Sequence, residues 1–295
     1  MILKIVFDFN ERLVNEMDME KEKMKETGKQ LGLFLGICLP ITWILMGIGY
    51  KGVQGEQSAL GAEFLITFAC FMPAIAAIIT SLITKEKLKN LMFMPKFKGH
   101  GKVYLMAFVL GSVISCTAQL LLPVFFPAKA QFNDEAGVVA IVVATLIMLV
   151  VCCLQFWVGM GEELGWMGYL FPRLEKLCGT TVALILMGVI RAGWHMVMLM
   201  QNESFLVGFL SLSVSNIIMG SVLVWATKAS RSVLPASLIH VMTNALPGGI
   251  AAFMILDDSV YSNDFSGVGI FTMLPGAIIG VICYIVLLKK YRAKG

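Results

Sequence analysis

Eight apolar stretches, at about residues 31–50, 60–84, 103–127, 138–160, 180–200, 206–227, 234–256 and 268–289, fill most of this chain. Each meets the roughly 20 apolar residues that a helix needs to cross the hydrocarbon of a bilayer. Lipid offers no partner to backbone N–H and C=O groups, so such stretches have to be helices. With 58% of the 295 residues hydrophobic, 14% charged and a mean hydropathy of +0.83, little sequence remains for a soluble catalytic domain. The chain is therefore expected to be an all-α polytopic membrane protein, with eight transmembrane helices in a conical or bundled arrangement around a polar cavity.

The placement of charge gives the expected orientation. Lys4, Arg12, Lys21, Lys23, Lys25 and Lys29 precede the first span, and Lys85, Lys87, Lys89, Lys96, Lys98 and Lys102 lie between the second and third. Arg173, Lys176, Lys228, Arg231 and the tail residues Lys289, Lys290, Arg292 and Lys294 fall on the same side. The other side has only Lys51 and Lys129, together with Glu56, Asp134, Glu135, Asp257, Asp258 and Asp264. By the positive-inside rule both termini are expected in the cytoplasm. Residues 1–30 read as a cytoplasmic amphipathic segment without a signal-peptide cleavage pattern, and 31–295 as the membrane domain. The expected location is a prokaryotic cell membrane, as an integral multi-pass protein whose partners are the lipid bilayer and no nucleic acid. The sequence leaves the oligomeric state open. The cysteines (Cys38, Cys70, Cys116, Cys152, Cys153, Cys178 and Cys283) mostly fall in spans and include no C-x-x-C. They read as small packing residues rather than as a disulfide framework or a metal site.

Chemistry is concentrated in residues 155–250. Glu162 and Glu163 end a long apolar run, where ionised groups are costly and are functional-site hypotheses by default. Gly161 and Gly165 form a G-x-x-x-G, which suits a helix-packing face and also lets a neighbour approach the carboxylates. Arg191 and His195 fall inside the fifth span, and His240 and Asn244 inside the seventh. Residues four apart share a helix face, so His240 and Asn244 can point at one target and Arg191 lies beside His195. His100, in the basic loop 85–102, reads as an exposed loop histidine, and that loop would be drawn to an anionic leaflet.

Placing each of these polar groups in lipid costs on the order of a few kcal/mol, so they are expected to converge in the bundle interior. Together they supply what water-driven amide hydrolysis requires. A carboxylate in a dry site beside a like charge can act as a general base toward water. A histidine can share that role or protonate the leaving amine, and a second histidine with an asparagine amide can donate to a tetrahedral oxyanion. Neither a serine elbow nor H-E-x-x-H competes with this set. Glu162, His195 and His240 could instead form a two-His, one-carboxylate zinc site. The same cluster also suits a proton or cation relay in a transporter, although no internal repeat is visible.

GEELGWMGYLFPRL around Glu162, Trp194-His195, and His240 through Asn244 resemble, in order and spacing, the motifs of the CAAX protease and bacteriocin-processing (CPBP) family of intramembrane glutamate proteases, which includes the Ras-converting enzymes. That family's pattern is E-E-x-x-x-R, F-x-x-x-H and H-x-x-x-N on eight transmembrane helices. The resemblance implies an endopeptidase of the CAAX prenyl protease 2 type, in which Glu162 and His195 activate water, His240 and Asn244 form the oxyanion site, and Glu163 supports them. It implies no cofactor, with zinc as the alternative, and a membrane-associated peptide or protein substrate that is lipidated in some members. Two positions depart from the pattern: Met167 stands where the family has arginine, and Arg191 where it has phenylalanine. An arginine lost from one helix and gained on the next would restore the charge to the same cavity, so Arg191 is expected to pair with Glu163 or Glu162. The competing reading is a non-catalytic immunity or regulatory partner that kept the fold.

Overall fold

The computed structural model describes residues 2–54, 59–133, 137–201, 204–251, 254–257 and 267–291. Glu56, Asp134, Glu135, Asp258, Asp264, Arg292 and Lys294 lie outside the described residues, as do the side chains of Lys4 and Arg12. In chain order the helices are α1 (Ile2–Gln54), α2 (Ala59–Ala69), α3 (Met72–Ile83), α4 (Gly101–Phe125), α5 (Val138–Gly165), α6 (Phe171–Trp194), α7 (Met196–Leu199), α8 (Phe205–Ser230), α9 (Leu234–Ala251) and α10 (Gly267–Lys290). Most of each of the eight apolar stretches falls on these helices. By length and composition five described helices suffice to cross a membrane, or six if the bent pair α2–α3 counts as one span. Side chains such as Leu60, Val139, Leu154 and Trp157 stay exposed on their outer faces, as expected where lipid is the solvent.

Several boundaries differ from those read in the sequence. The second span is not one rod: Cys70 and Phe71 interrupt it, α3 restarts with Pro73 in its first turn, and α2 and α3 meet at 46°. Pro73 lacks an N–H and suits a helix start, which explains where the new helix begins. The fourth span does not stop at 160. α5 runs to Gly165, a π-helical turn follows at Trp166–Leu170, and helix resumes in α6. The fold is also not purely α. Residues Ala130–Phe132 (β1) pair antiparallel with Met254–Leu256 (β2), so the seventh apolar stretch ends as a strand rather than as helix.

The turn that matters most for the site is at Gly179. There the backbone has φ 75° and ψ 167°, outside the helical region and open mainly to glycine. Arg191 Nη2 lies 3.1 Å from Glu163 Oε1. Straight helix between those two residues would hold them about 40 Å apart at 1.5 Å per residue, so the chain must double back, and Gly179 is the break. Glu162 precedes Gly179 by 17 residues and His195 follows it by 16. Each is thus about 25 Å of helix from the turn, and the two arms bring them to the same depth.

Small residues let the remaining elements close around this pair of arms. A Cβ at Gly165 would sit 2.4 Å from Pro73 Cβ and 2.5 Å from its carbonyl carbon, and one at Gly168 would sit 2.5 Å from the Leu91 carbonyl oxygen. α3 is thereby pressed against the end of α5, and the loop between α3 and α4 against the π-turn. The Met92 carbonyl of that loop also accepts the Val233 N–H at 2.9 Å, which fixes the start of α9. Crowding of this kind typically costs about 1–3 kcal/mol. Gly165→Ala is therefore expected to lower the thermal unfolding midpoint of the detergent-solubilised protein. Gly36→Ala, where a Cβ meets no atom within 4 Å, should leave it unchanged or raise it. Equal midpoints for the two variants would contradict the close approach at Gly165.

Candidate active site

Charge is placed in the interior from two directions. Successive residues of α5, Glu162 and Glu163, are 6% and 0% exposed, and Arg191 of α6 is 4% exposed. Arg191 Nη2 lies 3.1 Å from Glu163 Oε1 and 3.6 Å from Glu162 Oε2, so one guanidinium faces both carboxylates. Such a fork suits arginine better than lysine, because its planar donors reach two acceptors without giving up charge. Met167, at the position where the resembled family carries arginine, is instead an apolar core residue at 1% exposure.

His240 enters from α9. Its Nδ1–H donates to Glu163 Oε1 at 2.7 Å, since a carboxylate can only accept. This bond turns the other ring nitrogen toward Glu162, with Nε2 at 3.9 Å from Glu162 Oε2. Glu163 Oε1 thus serves as a brace between Arg191 and His240, with Oε2 buried and unpaired among the described residues, while Glu162 lines an open cavity of about 530 Å³. α9 is held in register by α4: the Ser115 hydroxyl lies 2.5 Å from the Gly111 carbonyl and 3.0 Å from the Met242 carbonyl. Asn244, one turn beyond His240, lines the same cavity.

His195 lies where α6 ends. Its backbone leaves the helix, and its Nδ1–H donates to the Arg191 carbonyl at 2.8 Å, leaving Nε2 with the free lone pair. A chain of aromatic rings supports it. Phe34 of α1 packs edge-on against Trp166 at 6.1 Å, Trp166 against Trp194 at 5.9 Å, and Trp194 against the His195 ring at 4.5 Å. Trp194 Nε1 donates to Thr42 Oγ1 at 2.9 Å, and Trp43 Nε1 donates to the Gly193 carbonyl at 3.0 Å. Two tryptophans therefore tie α1 to the segment just before His195.

The structure brings Glu162, Arg191, His195, His240 and Asn244 to the lining of one cavity, with Glu163 directly behind. The sequence reading missed the aromatic chain, the π-turn and two carboxamides of that lining, Gln119 of α4 and Asn216 of α8. Carboxamides inside otherwise apolar stretches were the signal that could have revealed the latter. Among the described residues no three His, Cys, Asp or Glu side chains are arranged to hold a metal ion. The Arg191 guanidinium puts positive charge beside Glu162.

Removing one member of a buried ion cluster leaves the others uncompensated, at about 3–5 kcal/mol. Arg191→Phe is accordingly expected to destabilise the protein and abolish its activity. Adding Met167→Arg, four residues after Glu163 in the π-turn that continues α5, should restore both. Unfolding midpoints in detergent together with activity measure the pair, and no recovery in the double variant would refute the idea that Arg191 replaces the missing arginine.

Residues 141–246 match the Rce1-like family, described as type II CAAX prenyl endopeptidase Rce1-like. The matched segment opens at the start of α5 and ends within α9, so it contains both glutamates, Arg191, both intramembrane histidines and Asn244. The match agrees with the CAAX protease resemblance carried by the motifs. No curated protein matches the chain.

Proposed function

We propose, from the Rce1-like domain at residues 141–246, that this integral, multi-pass membrane protein is an intramembrane endopeptidase of the CAAX type. The observation that carries the reading is the convergence of Glu162, His195, His240 and Asn244 on one cavity behind which Glu163 and Arg191 are locked together.

In this reading Glu162 removes a proton from water and the resulting hydroxide attacks the scissile carbonyl carbon. His195 takes part in that proton transfer through Nε2 and passes a proton to the departing amine as the C–N bond breaks. The new carboxyl group stays on one fragment and the amine on the other. His240, with Nδ1–H held by Glu163, offers Nε2–H to the oxyanion. Protonated on both nitrogens, it makes the set of two carboxylates, one guanidinium and one imidazolium neutral overall, which a poorly hydrated interior favours. Asn244 Nδ2 supplies the second oxyanion donor. No step requires a metal.

The reading extends to topology and substrate. The eight apolar stretches cross a prokaryotic cell membrane eight times, with both termini on the lysine-rich, cytoplasmic side. The substrate is a peptide held at the membrane, and the class named for the matched family is a prenylated C-terminal sequence.

Replacing Glu162 by Gln keeps shape and removes the base, and general-base catalysis is worth about 10²–10⁴ in rate. Comparing the peptides that accumulate uncleaved in cells carrying Glu162→Gln with those in wild-type cells should identify the substrate. Asn244→Ala should slow cleavage of that substrate about 10²–10³-fold, the usual loss for one oxyanion donor. Function that persists in a folded Glu162→Gln protein would favour a non-catalytic membrane partner instead.

A further inference from the structure

Two carboxamides on the cavity wall have no role in the chemistry above. Gln119 of α4 and Asn216 of α8 both line the cavity. The Oε1 of Gln119 and the Nδ2 of Asn216 are buried without a hydrogen-bond partner among the described residues. A buried amide group left unpaired costs about 1–3 kcal/mol, and such groups are rare in folded proteins. Amides in spans commonly pair across a helix interface, but no hydrogen bond joins these two.

Their levels match. A Cβ at Gly276 of α10 would lie 3.5 Å from Met219 Sδ and 3.7 Å from Ile114 Cγ2, so these three positions share one level in the bundle. α4 leads away from the basic loop 85–102 and α8 leads back toward Lys228. Gln119, five residues after Ile114, and Asn216, three residues before Met219, are therefore displaced from that level in the same direction, by about 7 Å and 5 Å. The carboxamides flank the cavity from two helices that carry none of Glu162, Glu163, Arg191, His195, His240 or Asn244.

Resting on the peptidase reading, we infer that Gln119 and Asn216 form a peptide-backbone subsite that holds an extended substrate segment against Glu162. A chain entering a membrane-embedded cavity loses its water and must find partners for each backbone N–H and C=O. A carboxamide offers both an acceptor and donors, and the terminal torsion is broad enough for either end to turn into the cavity. The pair is uncharged, so it reads backbone rather than an ionic side chain, and it selects an unfolded segment over a helix whose groups are already bonded. Gln119 and Asn216 are positioning residues.

The test uses the full-length Glu162→Gln protein in detergent and a pool of fluorescein-labelled randomised decapeptides, with and without a C-terminal farnesylcysteine, followed by fluorescence anisotropy. Gln119→Met and Asn216→Leu remove the polar group at similar volume. Each should raise the apparent Kd about two- to tenfold, the loss of one neutral hydrogen bond. In protein with Glu162 intact, each should raise KM while leaving kcat unchanged, which a merely structural role would not do. Backbone N-methylation of the pool removes peptide donors without altering the protein. It should weaken binding to protein with Gln119 and have no further effect on Gln119→Met. Unchanged Kd in both variants, a fall in kcat at constant KM, or no binding of the pool by any form would overturn the subsite. Binding that depends on both residues, without cleavage by the wild type, would retire the peptidase reading and leave the subsite standing. Cleavage that ignores both residues would do the reverse.

Discussion

Glu162, Glu163 and Arg191 place formal charge, with the His240 ring against them, in the buried interior of the bundle. Taking such charges out of water is expensive, and their mutual attraction compensates only when the geometry is good and the remaining lone pairs are bonded. Here the geometry comes from three helices at once: the carboxylates from α5, the guanidinium from α6 and the imidazole from α9. A shift of any one helix would strand a charge in the interior. The cluster therefore acts as a register pin for the bundle, and everything that fixes those helices serves it indirectly. Within the cluster the two carboxylates have different surroundings. Glu163 is enclosed between Arg191 and His240, whereas Glu162 keeps a face toward the cavity. That asymmetry is why the proposed base is the first glutamate and the proposed brace the second.

The chain's reversal at Gly179 makes the cluster possible. Two arms of nearly equal length bring Glu162 and His195 to one depth, although hydropathy alone places His195 far along its span and Glu162 near the end of another. The π-turn at Trp166–Leu170 lies between cluster and turn, packed against Phe34, Leu91 and Trp194. Wider turns of this kind often mark functional segments. Below it, Arg173 covers the Tyr169 ring with its guanidinium 3.4 Å from the centroid and pairs with Glu86, while Lys228 pairs with Glu175 at 2.6 Å. These contacts anchor the basic end of the molecule to the two arms.

Much of this was legible in the sequence because lipid imposes a one-dimensional rule. An apolar run of sufficient length must be largely helical, and helix fills most of each run, apart from the break at Cys70–Phe71 and the strand at Met254–Leu256. Polar residues inside such runs are expensive, which singled out Glu162, Glu163, Arg191, His195, His240 and Asn244 before any geometry was known. What the sequence hid depends on contacts between distant segments. The break at Cys70–Phe71 follows from packing around Pro73, and the π-turn follows from neighbours on α1 and on the loop after α3. The strand pair at 130–132 and 254–256 exists only because two connections meet. Gln119 and Asn216 were visible as intramembrane amides, but nothing in their spacing linked them to the motif residues, because α4 and α8 meet the cavity only in three dimensions.

The central claim is that Glu162 activates water directly rather than attacking the substrate itself. A single turnover in water enriched in ¹⁸O, with enzyme in excess over a cleaved peptide and the products weighed by mass spectrometry, tests it, because an acyl intermediate opened at the Glu162 carbonyl leaves an enzyme oxygen in the product and direct attack cannot. Direct attack by water puts one ¹⁸O into the new carboxylate on the first turnover. An unlabelled carboxylate, its oxygen drawn from the enzyme through an acyl intermediate, would contradict the account.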